Sequence, residues 1–116
     1  MLGLGSNVRP APPTETMKRL AALSPRRIGS VADYQKNRAK AKNPEGLHSL
    51  LAHEILCLAD LAARRGLPMT GLELHEWVAA QARSAGPWYY GAVTPEQTLA
   101  FLESCEAAGL ITNKRQ

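Results

Sequence analysis

VTPEQTLAFLESCEAAGLIT, residues 93–112, decides the fold. Thr94 is placed to cap a helix, Pro95 to open its first turn, and Gln97 to return the capping-box bond. Leu99, Leu102 and Cys105 follow at helical spacing with Phe101 beside them, which gives the helix one apolar face. Gly109 supplies the stop. Leu110 and Ile111 are apolar and β-prone, and they read as the entry to an edge strand.

Two more helices are expected upstream. Thr70 and Glu73 form a capping box, and Leu74, Trp77, Val78 and Gln81 then share one face of a helix ending near Arg83. Ser84-Ala85-Gly86-Pro87 breaks it, and Trp88-Tyr89-Tyr90-Gly91 forms an aromatic loop. Farther back, Asn43 reads as a cap and Pro44 as the first position of the longest helix. Leu47, Leu50, Leu51, Ile55, Leu58, Leu61 and Ala62 form its broad apolar stripe. Arg64 and Arg65 complement the dipole at its end, and Gly66 stops it. The expected core is Leu47, Leu51, Ile55, Leu58, Leu74, Trp77, Val78, Leu99, Leu102 and Leu110.

The N-terminal part differs in kind. Residues 1–13 are rich in Gly, Pro, Ser and Asn and are expected to be disordered. Thr14 caps a short helix reaching about residue 23, which Ser24-Pro25 interrupts. Ser30 with Asp33 caps a second short helix, 31 to about 42, dominated by Lys36, Arg38, Lys40 and Lys42. That helix has little apolar surface and needs something to fold against. Residues 1–45 carry nine Lys/Arg against three acids, a net of +6, whereas residues 46–116 carry five against seven, a net of −2. The expected organisation is a basic, partly helical arm, 1–43, ahead of a helical domain, 44–116. The imbalance points the arm toward a polyanion or an acidic protein.

Composition narrows the class. A length of 116 residues favours one domain, and an apolar share of 45% supplies a core. With aromatics at only 5%, that core must be mostly Leu and Ala, which favours helices. Cys57 and Cys105 fall within helical patterns and read as small buried apolar residues, not as a disulfide framework. The start has too short an apolar run for a signal peptide, and no stretch approaches the roughly 20 apolar residues of a membrane span. A soluble cytoplasmic protein with no membrane partner is expected.

The order from 47 to 112 is long helix, short link, capped helix, aromatic loop, capped helix, then Gly-Leu-Ile. It resembles the winged-helix DNA-binding superfamily, and within it PadR-like and MarR-like regulators. The resemblance rests on the Gly-containing turn Met69-Thr70-Gly71-Leu72-Glu73-Leu74-His75, on Gly86-Pro87-Trp88-Tyr89-Tyr90-Gly91 ahead of the third helix, and on the ending Leu102-Glu103 with Gly109-Leu110-Ile111. It implies a mostly α, winged-helix-like three-helix core whose third helix enters the major groove, and it admits a homodimer. The chain departs from that pattern twice. The third helix has no Lys or Arg and carries Glu96, Glu103 and Glu106, leaving Gln97, Thr98 and Ser104 to reach base edges. Only five residues follow Ile111, too few for a hairpin, so the wing is short or absent.

The first expectation is therefore a small nucleic-acid-binding regulator, with DNA ahead of RNA. Arg26, Arg27, Lys36, Arg38, Lys40 and Lys42 would contact phosphates, while Gln97 and Thr98 would offer limited base readout. The alternative is a protein-interaction module, such as a phage- or plasmid-type inhibitor or an accessory subunit of a nucleic-acid-handling complex. It would use Trp88, Tyr89, Tyr90 and the acidic third helix. His53-Glu54-Ile55-Leu56-Cys57 is a near miss of the zinc-protease HExxH. Leucines flank Cys57, and no third ligand lies nearby in sequence, so no metal site is expected. There is no phosphate-binding Gly loop, nucleophile elbow or spaced acid–base set. Neither catalysis nor a cofactor is expected.

Overall fold

The computed structural model describes residues 14–27, 32, 36–37, 39–66 and 69–115; the side chains of residues 27, 87, 88, 114 and 115 fall outside that description. Within those bounds the chain is mostly helical with a small two-stranded sheet. The order is α1 (Glu15–Ala22), β1 (Leu23–Arg27), α2 (Ser49–Arg65), α3 (Gly71–Ala85), the single turn α4 (Pro87–Tyr90), α5 (Pro95–Ala107) and β2 (Ile111–Arg115). None of the described helices is long and apolar enough to cross a membrane.

Local chemistry sets most of these boundaries. Thr14 Oγ1 accepts from the Met17 amide at 3.1 Å and starts α1. Complete capping boxes start α3 (Thr70 with Glu73) and α5 (Thr94 with Gln97). Gly66 closes α2 in the left-handed conformation, at φ 66°. The start of α2 corrects the sequence reading. Asn43 is not its cap: the Asn43 side chain accepts from the Leu47 amide at 3.0 Å and donates back to the Leu47 carbonyl. Asn-Pro-Glu-Gly is thereby spent on a turn, the usual use of those residue types, and the helix opens at Ser49 with His48 as its cap. Of the expected helix 31–42, residues 32, 36 and 37 are helical, and residues 31, 33–35 and 38 lie outside the described residues. Its far end is not helical, since Lys40 closes a turn on Asn37 and residues 41–43 run free of any helix.

The buried interior joins α1, α2, α3, α5 and both strands. Of the expected core, Leu47, Leu51, Ile55, Leu74, Val78, Leu99, Leu102 and Leu110 are buried, while Leu58 and Trp77 are only half-buried. Leu50 and Leu61, on the margins of the stripe, are exposed. Phe101, Leu56 and Ile111 join the core.

The larger correction concerns the arm. Leu20 and Leu23 are buried, α1 packs on α3 and α5, and β1 packs on α2. Residues 14–27 are thus built into the body and do not precede it. The reason is the sheet: β2 does not turn back on itself but pairs antiparallel with β1, Leu23 opposite Arg115 and Arg27 opposite Ile111. The five residues of β2 are enough for a strand because a partner arrives from elsewhere in the chain.

Candidate nucleic-acid interface

The β1–β2 register gathers cations from the two ends of the chain. It sets Arg26 opposite Thr112 and Ser24 opposite Lys114, so Arg26, Arg27, Lys114 and Arg115 share one two-stranded ribbon that contains no acid. Lys114 and Arg115 were missed at the level of sequence, because only the pairing brings them to the arm. Arg26 is half-buried, and its Nε is enclosed without a hydrogen-bond partner among the described residues. Such a group carries a desolvation penalty of about 1–3 kcal/mol.

The basic stretch that follows runs beside α5. Ser104 Oγ accepts from the Lys42 amide at 2.6 Å, and the Asn37 side chain comes close to Gly109. Lys42 thus lies beside the C-terminal half of α5, and Asn37 beside the turn that leads from α5 into β2. Lys36, Lys40 and Lys42 are exposed there; Arg38 lies outside the described residues. Among the described residues, no ion pair engages Arg26, Lys36, Lys40 or Lys42. Among the described residues, an ion pair ties the arm to α5: Arg19 with Glu103 at 2.6 Å, and both groups are exposed. Solvent screening leaves such a pair little weight.

The base-reading role expected of α5 is not supported by its geometry. Thr98 is fully buried and its Oγ1 lies 2.9 Å from His75 Nδ1. The Oε1 of Gln97 accepts from the Thr94 amide at 2.8 Å, and its Nε2 donates to the Glu45 carbonyl at 3.0 Å. Ser104 is held by Lys42. Each polar side chain once available for base edges is engaged within the protein. Thr98 in particular sits on the core face of the helix, beside Leu99 and Leu102, and cannot reach a ligand.

A second feature lies at the start of α2. His48, Tyr89 and Tyr90 form a ring cluster, with Tyr89 and Tyr90 edge to face at 4.5 Å and His48 against Tyr90 at 4.9 Å. Tyr89 is 53% exposed and Leu50 is 49% exposed. The expected loop is a helical turn, and the side chain of Trp88 lies outside the described residues.

The two cysteines diverge. Cys105 is buried, and burial pushes its thiol up to about 12. Cys57 is exposed, contrary to the sequence reading. On α2 the core-facing positions are Leu51, Ala52, Ile55, Leu56, Ala59 and Ala62, and Cys57 falls with His53 outside that stripe. No group of three or more metal-ligating side chains occurs among the described residues. His75 is held below its ordinary value of 6.5, chiefly by burial. No family model, curated protein or solved structure matches the chain.

Proposed function

We propose that the chain is a small nucleic-acid-binding regulatory protein that grips phosphates with little regard to base sequence, duplex DNA being its first substrate. The grip comes from the β1–β2 ribbon and from Lys36, Lys40 and Lys42 beside it. On this reading the body is winged-helix-like, with the ribbon standing in for a wing and α5 serving to support the surface. One observation carries the proposal: the strand register that joins Arg26 and Arg27 to Lys114 and Arg115 on an acid-free ribbon. A polycation binds nucleic acid by releasing condensed counterions, which makes affinity fall with salt and leaves it nearly blind to sequence.

Anisotropy of a labelled duplex at a series of salt concentrations tests this. With one phosphate contact from each of the ribbon's four cations, the ribbon alone should contribute about −3.6 to the slope of the logarithm of the association constant against log salt, at about −0.9 per contact. Replacing Arg26, Lys114 and Arg115 by Gln should reduce the slope by roughly two to three, whereas Gln97→Ala should leave any sequence preference unchanged. Absent binding, or binding indifferent to salt, would overturn the proposal.

The ring cluster favours a second reading, a protein-interaction module within a nucleic-acid-handling complex. An exposed tyrosine packed on His48 and Tyr90, with Leu50 exposed two residues on from His48, suits a partner's apolar side chain. Tyr89→Ala separates the two uses. It leaves duplex affinity unchanged if the rings serve a protein, and lowers it if they touch nucleic acid.

A further inference from the structure

We infer that His53 and Cys57 form a two-ligand site for a thiophilic divalent cation of the zinc class. The two residues stand four apart on α2, one helical turn, both exposed. Their ligating atoms already converge, with His53 Nε2 at 3.3 Å from Cys57 Sγ. A tetrahedral zinc ion takes nitrogen at about 2.0–2.1 Å and sulfur at about 2.3 Å, which requires the two donors to lie about 3.5 Å apart. The observed separation is within a few tenths of an ångström of that bite. Both donors come from one turn of α2, so capture of the ion needs no change of backbone. The helix supplies the preorganisation that a loop would have to acquire on binding.

The chemistry balances without a further reagent. The cation takes the imidazole lone pair at Nε2 and the thiolate at Sγ, and the thiol proton leaves to solvent. His53 also rims an open groove of about 170 Å³. The remaining coordination positions are filled by water, or by the same pair from a second copy of the chain.

Cys105 makes the test clean, because its buried thiol is silent toward reagents that read Cys57. The native protein is treated with an aromatic disulfide reagent in the presence and absence of Zn²⁺. At a cation concentration ten times the dissociation constant, Cys57 modification should slow by about tenfold. Co²⁺ should produce a near-ultraviolet thiolate-to-cobalt band, and Cys57→Ser should abolish it. His53→Ala should remove the protection; both substitutions lie on an exposed face, and retained helicity by circular dichroism confirms that the fold survives. One ion per monomer and one ion per dimer both support the site and distinguish water from a second copy as its completion. Undiminished labelling in millimolar Zn²⁺, no cobalt band, or full protection in His53→Ala would show that the pair is a hydrogen bond alone.

Discussion

His75 and Thr98 place a polar contact inside an otherwise apolar junction between α3 and α5. Burial disfavours the charged imidazole there, while Glu76 and Glu96 oppose the shift and Arg83 adds to it. Because the folded-state pKa lies below the unfolded one, the unfolded chain binds more protons in the interval between them. The contribution of His75 to stability is therefore complete above about pH 6.5 and is lost as pH falls toward the folded value. Melting temperatures should be flat with respect to this group above that point and should decline below it, a decline that His75→Gln should flatten. Thr98→Val keeps the shape but leaves the imidazole without its partner, and it should cost about 1–3 kcal/mol in denaturant unfolding. An unchanged midpoint would mean that the pair is not coupled in solution. The same bond explains why Thr98 was misassigned. From sequence, a threonine at the start of a third helix is indistinguishable from a base-reading one, and only the position of His75, 23 residues away, reveals its use.

At the scale of elements, the close approach of α1 to α3 depends on Gly71. A Cβ at that position would stand 2.9 Å from the Leu20 carbonyl oxygen and 3.3 Å from Leu102 Cδ1. The first of these is backbone and cannot rotate away. Gly71→Ala should therefore destabilise the protein by about 1–3 kcal/mol through forced displacement of α1, although Ala is the better helix former. Unfolding in urea measures this; a variant as stable as the parent would place α1 elsewhere in solution. The sequence marked Gly71 as part of a turn before the second helix. It is in fact the first residue of that helix, and it is small because another helix lies against it.

For the whole molecule, the point at issue is where the body begins. Burial of Leu20 and Leu23 and pairing of β1 with β2 tie residues 14–27 into the fold. Loss of a buried leucine alone costs about 2–5 kcal/mol, set against total stabilities of about 5–15 kcal/mol. A fragment of residues 44–116 lacks both leucines and leaves β2 without a partner. It should show no cooperative unfolding transition by circular dichroism, whereas the full chain should show one. A sharp transition in the fragment would restore the arm-and-body division read from composition.

The sequence by itself determined α1, α2, α3 and α5 and most of their ends. Thr14, Thr70, Thr94 and Gly66 act through bonds to residues three or four positions away, and the leucine stripes repeat within one element, so that information is local. Asn43 shows the limit even there, since its side chain can close a turn as readily as cap a helix. Tertiary structure alone decided which strand meets β1, what occupies Gln97, Thr98 and Ser104, and which cations stand together. Those outcomes depend on contacts between residues far apart in the chain, where the closing of long loops leaves no periodic trace in the sequence.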